Sequence, residues 1–314
     1  MRIRATVAAV SGALALSAFA VPAAQAVDSA ASHREDVAKV WQAAHTAQAA
    51  PATSGKTAFS AATGTADEPY ALNVTFSNFK IGSSYSVGTT NHVAIPVSYT
   101  LTHGADVDIT SSDFQTGPYI YKGSYDLMSN QLFGDAPATC TATSSTTATC
   151  KGNVDIYAAD GDLMNADAGT WSAGALAIDL NGQDPSSPTF DITKVGYADQ
   201  GGLGTTKVKR FAKLTVNAGP EPVAKGKTLT ATGKLTRADW ETNTYKGYAK
   251  QPVKLQFRKA GTTTYTTIKT VYSDSYGNLK TTTTAKYDGY WRFSFAGSPT
   301  TGAANATGDY VDVK

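Results

Sequence analysis

The side chains best suited to chemistry in this 314-residue chain are hard oxygen donors. Asp160, Asp162, Asn165 and Asp167 fall within eight consecutive positions, with Gly161 and Gly169 in or beside the run and Asp155 just before it. Calcium takes about six to eight oxygens, and Asp or Asn at alternate loop positions beside glycine supplies them. The spacing departs from the EF-hand pattern, which wants Asp-x-Asp/Asn-x-Asp/Asn-Gly and a distal Glu. The same residue types also close loops by bonding their own backbone. Calcium held by Asp155, Asp160, Asp162, Asn165 and Asp167 is one expectation, and a self-bonded loop is the other.

Nucleophilic chemistry needs a base beside the nucleophile. The four histidines give it little support. His33 and His45 sit in or beside a short N-terminal helix, while His92 and His103 flank a single strand. None lies in a Gly-x-Ser-x-Gly setting. Paired carboxylates for glycoside hydrolysis would draw on Glu35, Glu68, Glu221 and Glu241, which are scattered along the chain. The expected reading is that the chain is not an enzyme and has no catalytic residues. The alternative is an extracellular hydrolase or accessory module with a cryptic site.

Aromatic side chains offer a second kind of site. Trp240, Tyr245 and Tyr248 lie close together beside Lys246 and Lys250, in what reads as a loop between two strands. Exposed rings of this kind can stack on sugar or peptide. The competing expectation has Trp240 folding back over the end of its own domain. Cys140 and Cys150 are the chain's two cysteines, and the run between them is rich in Thr and Ser. On a hairpin, their even spacing puts both sulfurs on one face, which predicts a disulfide and an oxidising compartment.

Several elements must position these groups. Arg2 and Arg4, the apolar run Val7 to Phe19 and Ala24-Gln25-Ala26 read as a secretory leader over 1–26, too short to span a bilayer. Residues 27–64 hold a short helix, with Ser32 and Glu35 as a capping box and Val37, Val40, Trp41 and Ala44 on one face, followed by a flexible linker. From Tyr70 the period is two: Tyr70, Leu72, Val74 and Phe76, then Val93, Ile95, Val97, Tyr99 and Leu101. This predicts one β-sandwich over 65–209 and a second over 210–314. Inward residues of the second include Leu229, Ala231, Leu235, Val253, Leu255, Trp291, Phe293 and Phe295.

Charge separates the two regions. Residues 65–211 hold 7 Lys and Arg against 15 Asp and Glu, whereas residues 212–314 hold 15 against 7. An acidic region joined to a basic one predicts weak interdomain or self-association, or two kinds of partner.

The last hundred residues resemble a recurrent Ig-like module of secreted bacterial proteins. The match runs through Asn217-Ala218-Gly219-Pro220-Glu221-Pro222, Lys225-Gly226-Lys227, Pro252 to Arg258, Asp288-Gly289-Tyr290-Trp291-Arg292 and Gly308 to Val313. Asp167-Ala168-Gly169-Thr170-Trp171 is similar to the corner motif of Ig sandwiches, with Trp where Tyr is the rule. The resemblance implies an all-β fold of two tandem Ig-like sandwiches that present or space other things, with no shared activity. The expected function is that of a secreted, extracellular, non-catalytic protein with a binding, adhesive or structural role. Its expected partner is an extracellular protein or polysaccharide, with no nucleic acid, no membrane span and no cofactor apart from calcium.

Overall fold

A computed structural model describes residues 23–48, 68–125 and 127–314. The leader expected over 1–26 lies mostly outside the described residues, as does the linker from residue 49 to 64. Helix α1 (Ala23–Gln48) begins well before the predicted cap, so Ser32 and Glu35 stand inside it. The alanine-rich stretch before Ser32 extends the helix, because alanine costs least to place in one. None of the described helices is long and apolar enough to cross a membrane.

The chain divides into two compact units, and the division is not linear. The first comprises residues 1–82, 94–155 and 171–206; the second comprises 83–93, 156–170 and 207–314. The single boundary expected near residue 209 therefore misses two segments, 83–93 and 156–170, that belong with the C-terminal residues.

The first half of the chain forms strands β1 (Tyr70–Ala71), β2 (Val74–Ile81), β3 (Tyr85–Val87), β4 (His92–His103) and β5 (Phe114–Ser124). β6 (Leu127–Phe133), β7 (Thr139–Ala142), β8 (Thr147–Tyr157), β9 (Gly169–Asp179) and β10 (Gly196–Arg210) follow. One sheet runs β1-β10-β9-β5-β6 and the other β2-β4-β8-β7. Within the first unit, Tyr99 on β4 shares a 2.9 Å hydrogen bond with Thr116 on β5, and Thr116 Oγ1 donates to the Leu176 carbonyl at 2.7 Å. This buried chain of hydroxyls ties the two sheets together.

α1 covers the outer face of the β5–β9–β10 sheet. Val37, Val40, Trp41 and Ala44 pack on Tyr119, Tyr121, Phe133, Leu176, Ile178, Val195 and Tyr197. On the same strands Ile120, Ala173, Ala175 and Ala177 are buried while alternating with them, so β5 and β9 are apolar on both faces. A sheet covered on both sides reads as a near-continuous apolar run, which is why these strands lack clean alternation.

Cys140 and Cys150 are direct cross-strand partners on β7 and β8 and form the expected disulfide. Replacing both with Ser is expected to lower the stability of the first unit by about 2.5–3 kcal/mol, the chain entropy of so short a loop. Urea titration against the oxidised wild type measures the difference.

The second unit adds β11 (Ala212–Leu214), β12 (Asn217–Gly219), β13 (Thr228–Asp239), β14 (Thr244–Gly247) and β15 (Pro252–Lys259). β16 (Thr266–Tyr272), β17 (Asn278–Thr284), β18 (Gly289–Phe295), β19 (Ala304–Asn305) and β20 (Asp309–Val311) complete it. β13 carries β11, β12, β14 and β17 as antiparallel neighbours; the facing sheet runs β16-β15-β18 with β19 and β20 on the far side. Leu229, Ala231, Leu235, Val253, Leu255, Trp291, Phe293 and Phe295 fill the core between them, all on the inward positions that alternation predicts. Gly233 is required on β13, since a Cβ there would lie 2.2 Å from the Thr215 carbonyl oxygen and 2.9 Å from the Phe293 ring.

Two strands differ from expectation. β14 occupies what reads as a loop, with Tyr245 paired to Ala238. β16 is almost wholly exposed on both faces, so its threonines show no alternation to read. The fold is all-β and Ig-like: mainly antiparallel sheets, with β1 and β3 joining β10 in parallel, packed face to face around an apolar core, with one helix among the described residues.

Candidate binding surface

The second unit gathers the acidic loop and the Trp240 region. Asp162 Oδ2 accepts the Tyr157 amide at 2.8 Å, and Asp167 Oδ2 accepts the Met164 amide at 2.8 Å. Asn165 turns the other way: its Oδ1 accepts the Trp240 amide at 3.1 Å and its Nδ2 donates to Glu241 Oε2 at 2.9 Å. Asp160 is exposed, and Asp155 is a buried residue of the first unit that accepts the Asp135 amide at 2.9 Å. Loop-closing hydrogen bonds thus occupy oxygens of both Asp162 and Asp167. Asp167→Ala is expected to cost the second unit about 1.5–3 kcal/mol, the size of a hydrogen bond to a charged group. Melting in EDTA and again in calcium measures that loss and shows whether the ion adds to it.

Trp240 is 2% exposed and offers no face to a ligand. Its indole nitrogen donates to the Gly88 carbonyl at 2.9 Å, so it anchors the segment around β3. Lys213 lies over the Tyr245 ring at 3.7 Å, and Arg237 over Tyr248 at 4.0 Å. Tyr248 also packs on Phe295 and donates its hydroxyl to Ser298 at 3.2 Å. The expected platform of Trp240, Tyr245 and Tyr248 is therefore one buried anchor and two half-buried rings already capped by cations. The structural reason is β14, which folds these residues back against β13.

In the first unit, His45 is held rather than loose beside a linker. Its Nε2 lies 2.8 Å from Asp199 Oδ2, and its ring stacks on Trp41 at 4.1 Å. Tyr119 donates to Asp199 Oδ1 at 2.6 Å and Tyr197 to Oδ2 at 3.1 Å. Burial raises both tyrosines well above their ordinary value, with the Asp199 carboxylate adding to the effect. The carboxylate is nearly sealed and both its oxygens are engaged, which makes it a fastening for α1 rather than a base facing a substrate. Burial lowers His33, whose ring lines a shallow recess with Gln115, Phe133 and Leu176. His92 and His103 stand at opposite ends of β4; His92 stacks on Tyr157 at 4.4 Å.

The open surface is elsewhere in the second unit, on the outer face of the β15–β18–β20 sheet. Register sets Arg258 opposite Tyr290, Gln256 opposite Arg292, and Tyr290 opposite Tyr310. The Arg258 guanidinium lies 4.0 Å over the Tyr290 ring, and that of Arg292 lies 3.9 Å over Tyr265. Tyr290 meets Tyr310 edge-on at 5.2 Å, and Tyr310 is 41% exposed. Arg292 Nε donates to Gln256 Oε1 at 2.9 Å, which holds the fork in place. Among the described residues, no carboxylate lies within ion-pair distance of Arg258 or Arg292. The unit as a whole carries 18 Lys and Arg against 10 Asp and Glu, a net of +8. Alternation placed Arg258 and Arg292 outward, but nothing local signalled that they would share one patch with Tyr265 and Tyr310.

Neither a family model nor a curated protein sequence matches the chain. Among solved structures, the adhesin InvE of Yersinia pseudotuberculosis is 12% identical, with 76% of this chain and 58% of that chain covered and a TM-score of 0.24. The chain thus spans less than two thirds of the adhesin's length. Three N-terminal domains of the outer capsid protein Hoc of bacteriophage RB49 are 10% identical, over 77% and 71% of the two chains, with a TM-score of 0.27. The ectodomain of mouse nectin-like molecule 4 is 10% identical over 77% and 65%, with a TM-score of 0.22.

Proposed function

We propose that this chain is a secreted, non-catalytic binding protein of the cell exterior, and that the outer β15–β18–β20 face of its second unit is the surface it offers. The observation that carries this reading is the pair Arg258 and Arg292. Each guanidinium lies over a tyrosine ring, held by a hydrogen bond to Thr262 or Gln256, with no counter-ion within reach among the described residues. An unpaired cation held in one orientation is preorganised for a partner, because little rotamer freedom is left to lose on binding. The disulfide supports an oxidising compartment, as does the leader-like N-terminal sequence.

The test is retention of purified, disulfide-intact protein on washed cell exteriors. Wild type is expected to be retained and released by rising salt, while Arg258→Gln with Arg292→Gln is retained at least about tenfold less, two charge-assisted contacts having been lost. Equal retention of the double variant would remove this face from the function. Steady turnover of a polymer, abolished by one substitution, would make the chain an enzyme instead.

A further inference from the structure

We propose that the Tyr–Arg face takes an acidic polysaccharide whose carboxylates meet Arg258 and Arg292 while its sugar rings lie against the tyrosines. This rests on the same face serving as the binding surface, and goes on to name its ligand class.

The donors come first. Gln256 uses one Arg292 donor, and the Thr262 carbonyl accepts from Arg258 Nη1, leaving in-plane N–H groups free on both forks. A planar fork with free edges matches the two oxygens of a carboxylate, a geometry that an ammonium cannot reproduce. The two arginines stand at diagonal positions of adjacent strands, so their spacing is fixed by the sheet.

The remainder of the patch selects the carrier of those carboxylates. Between and beside the arginines lie neutral hydrogen-bonding groups: Gln256, the hydroxyl of Tyr290 and the exposed Tyr310. Aromatic rings with polar edges suit ligands that combine apolar C–H faces with hydroxyls. Asp288 and Asp312 lie close enough to Tyr310 to act on it electrostatically, and they would repel a uniformly dense polyanion such as polyphosphate. Sparse negative charge on a hydroxyl-rich polymer satisfies both requirements. Charge complementarity with a unit of net +8 would favour its approach.

Gly308 keeps the platform in shape. A Cβ at this position would lie 2.2 Å from the Tyr265 hydroxyl oxygen, so alanine must displace the ring on which Arg292 rests.

Affinity electrophoresis of the whole disulfide-intact chain tests the proposal, with polygalacturonate, its neutral methyl ester or polyphosphate in the gel at one ionic strength. Polygalacturonate is expected to retard the wild type, with the methyl ester and polyphosphate each about tenfold weaker, as for loss of one charge-assisted contact. Arg258→Gln, Arg292→Gln and Gly308→Ala should each weaken retardation while melting as wild type does. Lys227→Gln with Lys280→Gln, a pair at or on the opposite sheet, should not. Equal retardation by polyphosphate, or equal loss in the lysine pair, would reduce the effect to net charge and overturn the ligand class. So would no retardation by polygalacturonate; the binding surface itself would still stand if retention on cell exteriors continued to depend on Arg258 and Arg292.

Discussion

Trp41→Ala is expected to cost the first unit about 3–5 kcal/mol, the range for removing a buried large aromatic. Trp41 is 7% exposed at the centre of the α1 stripe, wedged between His45 and Phe133. Its loss opens a cavity where the helix meets Tyr119, Tyr197 and Leu176 and loosens the stack that holds His45 toward Asp199. Trp41→Phe should be far milder, because the indole nitrogen has no hydrogen-bond partner and only ring volume is lost. Urea unfolding gives the free energies, and protease sensitivity within α1 reports whether the helix leaves the sheet.

The same interface sets a pH window. Burial lowers His33, so the unfolded chain protonates it more readily, and stability is lost as pH falls below its ordinary value of 6.5. Burial raises Tyr119 and Tyr197, so the folded state keeps protons that the unfolded chain releases near pH 10. Stability from those two tyrosines is complete below that value and is lost as pH rises above it. The first unit should therefore be most stable between these limits, with Asp199→Ala lowering the plateau by leaving two buried hydroxyls without their acceptor.

Trp240→Ala is expected to destabilise the second unit by a similar amount, about 3–5 kcal/mol. The indole is almost completely buried and closes on the Gly88 carbonyl, while the Trp240 amide is held by Asn165. The substitution removes ring volume and strands a carbonyl, and the effects should reach both outlying segments of the unit. Hydrogen exchange gives a specific readout: protection should fall at residues 83–93 and 156–170 while β15 and β18 keep theirs. A uniform loss throughout the unit would mean that Trp240 supports the core in general rather than these two segments.

Much of this architecture was legible in the sequence. Alternation along Val253-Leu255, Leu229-Ala231 and Trp291-Phe293-Phe295 identifies the inward face of the second unit, because a strand buried on one side must repeat every second residue. The helical spacing of Val37, Val40, Trp41 and Ala44 marks the stripe that the structure docks, and the even spacing of Cys140 and Cys150 on a hairpin predicts their bond. Each of these signals is local, carried by residues a few positions apart.

What only the tertiary structure decided involves residues distant in sequence. Periodicity reports that a side chain faces outward, but it does not report which strand lies beside it. Arg258 and Arg292 each read as a solvated surface residue until register places β18 against β15 and joins them to Tyr290 and Tyr265. Asp199 reads as one acid among many until β10 and β5 bring Tyr197 and Tyr119 to it and α1 brings His45. Trp240 reads equally as a platform or a plug, and only the return of β14 and the approach of Gly88 bury it. In each case strand pairing, which depends on partners scores of residues away, converts an ambiguous side chain into a fastening or a surface.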